Sequence, residues 1–186
     1  MSDISQPEWV FGYGSLIFKV DFPWRDRRAA SINGWSRRFW QGSHDHRGTP
    51  EAPGRVVTLI ETPGVECPGV AYLVSPEVFG HLDHREKNGY ARHRVSMALE
   101  GYHSAVDGLL YVATAENPAY LGPAPLDDLA SHIVAASGPS GSNESYLSEL
   151  ARALHNLGFY DDHVHPLASR VDALLQKSLR SASVGD

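Results

Sequence analysis

Trp9-Val10-Phe11-Gly12-Tyr13-Gly14-Ser15-Leu16 is the stretch from which the rest of the chain is read. Three bulky apolar residues in a row suit a buried strand. That strand runs straight into two glycines, which let the backbone turn tightly and approach a ligand with no Cβ in the way. Successive N–H groups in such a turn can hold a carboxylate or a developing oxyanion. A plain glycine-rich β-turn has the same composition, so both readings stand at this point. The stretch is not a dinucleotide fingerprint, because the third glycine and the following helix are absent. It is not a G-x-S-x-G nucleophile elbow either, because Ser15 is followed by Leu16-Ile17.

Outward from this strand, the first half continues as strands and turns. Ala29 to Trp40 reads as one or two strands broken at Asn33-Gly34, a hairpin-turn pair. Arg47 to Gly54 is a loop by its Gly and Pro content, and Val56 to Ile60 and Val70 to Val74 are two further strands. Ser75-Pro76 is a helix start, with serine as cap and proline at the first helical position. This helix carries Val78, Phe79 and Leu82 and ends near Asn88-Gly89. His93 to Leu99 and Leu109 to Ala113 complete the strands.

The second half turns helical. Leu126 to Ala136 is a helix with Asp127 and Asp128 in its first turn, which suits the helix dipole. Gly138 to Ser142 is a loop, with Ser142 or Asn143 capping the next helix. Leu147, Leu150, Ala151, Leu154 and Leu157 form its apolar stripe, and Leu167, Val171, Leu174, Leu175 and Leu179 form that of a last helix. The tail Ser181 to Asp186 is expected to fray. Without a repeat or a low-complexity linker, the expectation is one α+β domain over residues 1–186, ordered from about 8 to about 178.

Composition narrows the function. With 42% apolar and 20% charged residues the chain is an ordinary globular one, and a net charge of −6 argues against a phosphate-backbone surface and so against nucleic acid. No apolar run approaches the roughly 20 residues that span a bilayer, and the first eight residues lack the features of a signal peptide. Cys67 is the single cysteine, which fits a reducing compartment and a structural thiol before Pro68-Gly69. The expected address is the cytoplasm.

Several polar clusters could carry chemistry. His44 with His46, and His163 with His165 beside Asp161 and Asp162, raise the question of a metal. With ten histidines in the chain, accidental pairs are expected, and no HExxH or cysteine partner supports a site, so no metal is assigned. Asp83-His84-Arg85-Glu86-Lys87 crowds charges at a helix end, which is either a solvated helix terminus or a catalytic cluster. Ser137 to Leu147 is a polar, glycine-rich opening to a helix, suited to simple capping or to an anion.

Four segments together resemble the ChaC-like γ-glutamylcyclotransferases. They are Phe11 to Ile17, Ser43 to Leu59, Arg85-Glu86-Lys87-Asn88-Gly89-Tyr90, and Gly138 to Leu147, in the family's order. The resemblance spans roughly residues 9 to 175. It implies a small mixed β-barrel flanked by helices, with no metal and no organic cofactor. It also implies a carbon–nitrogen lyase that converts glutathione to 5-oxoproline and cysteinylglycine. By that resemblance Glu86 is the catalytic carboxylate and Tyr13, Gly14, Ser15 and Leu16 grip the γ-glutamyl group. Tyr146 lines the pocket, and Arg47 and Asp45 belong to its wall or to the support of that wall. Phe18 departs from an expected tryptophan and Asn88 from an expected glycine; both bear on substrate preference.

The implied chemistry is consistent with the residue types. The substrate's own α-amine attacks its γ-carbonyl, so no serine or cysteine nucleophile is required. Holding amine and carbonyl together can supply effective molarities on the order of 10⁵ M. The amine must lose a proton, and the departing amide nitrogen must gain one; a single carboxylate near both can do this. Three rivals keep their place: a cyclotransferase for other γ-glutamyl amides or dipeptides, a non-catalytic γ-glutamyl-ligand binding module, and a serine hydrolase built on Ser15.

Overall fold

The computed structural model describes residues 6–85 and 89–183. Five strands carry the β architecture: β1 (Glu8–Gly12), β2 (Asp26–Ser43), β3 (Gly54–Val74), β4 (Tyr90–Leu99) and β5 (Val106–Ala113). Their order is β1-β3-β2-β4-β5, closed into a barrel. Closure comes from a parallel pairing of β1 with β5, with Trp9 opposite Gly108 and Val10 opposite Leu109. The other neighbours with a described register are antiparallel: Glu8 to Gly12 face Val74 to Val70, and Tyr90 to Met97 face Ala113 to Val106. Closing the sheet gives each of its five strands a neighbour on both sides. The four helices and the mixed barrel are the α+β architecture expected from the order of patterns in the sequence.

Strand periodicity explains why β4 faces as it does. Met97 and Leu99 are buried while Ser96 and Ala98, which alternate with them, are exposed, the pattern of a strand with one face inward. The short helix α1 (Val78–Arg85) follows β3 and buries Val78, Phe79 and Leu82. Its entry is fixed by Ser75, whose carbonyl accepts from the Val78 amide at 3.0 Å.

Four expectations are corrected. Asn33-Gly34 does not close a hairpin: β2 continues through it to Ser43. Gly34 has φ +86°, a left-handed conformation that kinks a strand as readily as it closes a turn. Pairing with β4 reaches Ile32 opposite Met97, and β2 has β3 on its other side to keep it extended. Val56 to Ile60 and Val70 to Val74 belong to one 21-residue strand, β3, which runs on through exposed residues 63–66 with Gly64 at φ +81°. Residues 138–142 hold a small antiparallel pair, β6 (Ser137–Gly138) with β7 (Gly141–Ser142), where a loop was expected. The last helix, α4 (Val164–Ser183), keeps residues 181–183 helical where fraying was expected.

The chain forms two compact units. The first runs through Arg37 and again from Thr58 to Pro118; it holds α1 and the strand registers given above. The second comprises Arg38–Val57 and the chain from Ala119 onward. It contains α2 (Leu126–Ala135), the β6–β7 pair, α3 (Asn143–Asn156) and α4. The three helices pack on one another through Leu129 and Ile133 of α2, Leu147, Leu150 and Leu154 of α3, and Val164, Leu167 and Val171 of α4. Among the described residues, no helix is long and apolar enough to cross a membrane.

Candidate active site

In the first unit, the turn that follows β1 is built around Tyr13 to Leu16. Gly12 must be glycine, since a Cβ there would lie 2.8 Å from the Leu16 Cβ. Residues Ser15–Ile17 make one turn of 3₁₀ helix, closed by the Ile17 amide donating to the Gly14 carbonyl at 3.0 Å. Buried side chains from elsewhere in the unit fix this turn. Arg37, 1% exposed, donates from Nε to the Tyr13 carbonyl at 2.7 Å and from Nη2 to the Pro68 carbonyl. The Tyr72 hydroxyl donates to the Leu16 carbonyl at 2.6 Å. Tyr13 itself is buried and its hydroxyl donates to the Tyr111 carbonyl at 2.7 Å. A turn held at three points, by the Arg37 and Tyr72 side chains and by its own Tyr13 hydroxyl on the Tyr111 carbonyl, is preorganised, as a loop meant to orient a ligand must be.

In the second unit, Arg47 and Tyr146 come together. The Arg47 guanidinium lies 5.6 Å from the Tyr146 ring centroid and donates through Nη1 to the Ser145 hydroxyl at 2.7 Å and the Ser142 carbonyl at 3.1 Å. Tyr146 is buried, stands edge-on to Phe39, and accepts at its hydroxyl from the Val57 amide at 3.4 Å. Ser142 caps α3, its side chain accepting from the Ser145 amide at 3.1 Å. Asn143 then makes a two-way match with the Arg55 backbone, accepting from its amide and donating to its carbonyl, each at 2.7 Å. Asp45 is exposed.

The histidines of the second unit have structural roles. His46 Nδ1 lies 3.0 Å from the Ser140 hydroxyl. His163 Nε2 accepts from the Phe39 amide at 3.0 Å, and its ring stacks on that of Phe39. Burial, with Arg38 nearby, pushes its pKa down to about 4, so the ring is neutral. Among the described residues no cluster of His, Cys, Asp or Glu could hold a metal ion. Cys67 is buried. Glu86 lies outside the described residues.

A family model described as ChaC-like protein matches residues 8–174 of the chain. The chain belongs to this family. Its relatives include a protein of Arabidopsis thaliana named Gamma-glutamylcyclotransferase 2-3, 45% identical and covering 91% of each chain. Glutathione-specific gamma-glutamylcyclotransferase 1 of Rattus norvegicus is 41% identical over 95% of this chain and 83% of its own. Among solved structures, the yeast γ-glutamyl cyclotransferase specific to glutathione superposes with a TM-score of 0.84 at 32% identity, covering 90% of this chain and 96% of its own.

Within this ChaC-like chain, sequence reasoning missed the residues that hold the turn: Arg37, Tyr72 and Tyr111. Arg37 carried a faint signal, since a doubled arginine inside an apolar strand pattern has to bury one guanidinium against several acceptors. Tyr72 and Tyr111 carried none, because a tyrosine in a strand looks like any other core aromatic.

Proposed function

We propose that the protein is a glutathione-specific γ-glutamylcyclotransferase, cleaving glutathione to 5-oxoproline and cysteinylglycine by attack of the γ-glutamyl α-amine on its own γ-carbonyl. The observation that carries this reading is the near full-length match, at about 40% identity, to proteins named for that activity, joined to the yeast structure's TM-score of 0.84. In this reading the turn at Tyr13, Gly14, Ser15 and Leu16 orients the γ-glutamyl group. Its support is the three-point anchoring of the turn, which fixes the aim of the backbone groups near its tip. Within the second unit, Arg47 and Tyr146 are the residues this reading assigns to binding. Their support is a charged, partly desolvated pair that presents a cation beside the α3 cap. Glu86 takes the proton from the α-amine and delivers it to the departing amide nitrogen. A carboxylate in this role works best with a raised pKa, close to the operating pH. A lone buried thiol suits a reducing, cytoplasmic setting, where glutathione is abundant in its thiol form.

A cyclotransferase of wider γ-glutamyl range is the second reading, favoured by the Arabidopsis relative, whose name specifies no glutathione. Purified protein incubated with glutathione and a panel of γ-glutamyl dipeptides, with 5-oxoproline read by mass spectrometry, separates the two. Release from glutathione alone is expected; release only from other γ-glutamyl compounds would correct the substrate. Glu86→Gln is expected to lower kcat by about 10²-fold or more while leaving the circular dichroism spectrum unchanged. Near-normal turnover in that variant would remove Glu86 from the mechanism.

A further inference from the structure

Tyr111 sits at a junction. Its backbone carbonyl accepts the Tyr13 hydroxyl at 2.7 Å, and its own hydroxyl donates to Asp83 Oδ1 at 2.9 Å. Asp83 is on α1, three residues before Glu86 in the chain. The same carboxylate takes a two-pronged contact from Arg92, from Nε at 2.8 Å and from Nη2 to the other oxygen. Register explains the grouping: Arg92 and Tyr111 are directly opposite on β4 and β5, so both reach the same side of the sheet. The Arg92 guanidinium also lies 5.9 Å from the Tyr111 ring centroid and 5.4 Å from that of Phe79 on α1. One carboxylate is thus held by a guanidinium fork and a phenol at once, and the phenol's own backbone holds Tyr13.

We infer that Asp83 and Tyr111 are positioning residues for the cyclisation: they tie α1, from which the chain continues directly to Glu86, to the strand that anchors Tyr13. This inference rests on the assignment of Glu86 above. α1 is only eight residues long, so packing of Val78, Phe79 and Leu82 alone leaves it free to rock about that apolar contact. A bidentate arginine–carboxylate pair resists such rocking because both its spacing and its plane are fixed. Burial, then the bond to Asp83, raises the Tyr111 phenol above its ordinary value, so it stays a hydrogen-bond donor throughout the working range. The effect of this arrangement is on how often the proton-transfer group and the gripped substrate share a productive geometry, and misplacement on the order of 1 Å can cost about 10²-fold in rate.

The test is kinetic. Tyr111→Phe and Asp83→Asn are expected to lower kcat about 10- to 100-fold with KM for glutathione changed less than about 3-fold. Asp83→Glu should recover part of the loss. In the Glu86→Gln background, Asp83→Asn should leave glutathione affinity by calorimetry unchanged, because Asp83 acts on the proton shuttle and not on binding. Equal falls in kcat and in affinity would overturn the inference, as would kcat values near that of the parent for both variants. Should the inserted changes unfold the chain, Tyr111→Phe, which removes one oxygen, remains the decisive variant. If Glu86→Gln itself kept its turnover, the Glu86 assignment would fail first, and that outcome is distinct from a failure of Asp83 and Tyr111 alone.

Discussion

His163 is a half-buried imidazole whose ring stacks on Phe39 and whose hydrogen bond sets its protonation state. Beside Asp161, Asp162 and His165 it resembles half of a metal site, yet its Nε2 accepts from the Phe39 amide and must be unprotonated to do so. Burial and the Arg38 charge lower its pKa from 6.5 to about 4, partly opposed by Asp161 and Asp162. The native state therefore binds fewer protons than the unfolded chain between those two values, and stability rises with pH across that window. The stabilisation is fully present above pH 6.5 and is lost as pH falls toward 4, worth at most about 3 kcal/mol. Urea denaturation from pH 7.5 down to about 4.5 should show this fall, and His163→Gln, whose amide oxygen can still accept, should flatten it. An equally steep fall in that variant would place the acid sensitivity on another group.

At the scale of elements, the serine at position 142 carries a clean energetic prediction. Its side chain accepts from the Ser145 amide and begins a helix whose Tyr146, Leu147, Leu150 and Leu154 are all buried. Ser142→Ala should cost about 1 kcal/mol by denaturant titration, with little change in slope. That helix was legible from residue types, because cap and apolar stripe are local signals that agree. The existence of α1 was legible from Val78, Phe79 and Leu82, but it starts at Val78, two residues after the expected Pro76, and the Ser75 hydroxyl accepts from Arg25 Nε at 2.8 Å. Asn33-Gly34 was not, since a left-handed glycine has the same chemistry in a hairpin and in a kinked strand, and the neighbouring strand decides between them. The site divides along the same line. Its glycine-rich turn was visible in eight adjacent residues. Its anchors lie 24, 56 and 98 positions away in sequence, at Arg37, Tyr72 and Tyr111, and no local pattern announces a hydrogen bond over such separations.

For the molecule as a whole, charge sets the terms on which the proposed substrate would arrive. The chain carries −6 at neutral pH, and glutathione, with two carboxylates and one ammonium, carries a net negative charge as well. On that proposal encounter is mildly repulsive at long range, and capture must come from local donors, of which the proposed one is Arg47, a cation paired with the Tyr146 ring. Salt acts on the long-range part alone. The screening length shrinks from about 30 Å at 0.01 M to about 8 Å at 0.15 M, so added salt removes repulsion while leaving close contacts largely intact. Across that range kcat/KM should hold level or rise by less than about 2-fold. An attractive funnel would give the opposite sign, as it does for enzymes whose clefts are lined by charge opposite to the substrate's. Measured initial rates at fixed pH, with sodium chloride as the only variable, decide it: a fall of about 3-fold or more would mean that a local positive field outweighs the net charge, and Arg47→Gln should then abolish the salt dependence along with the affinity.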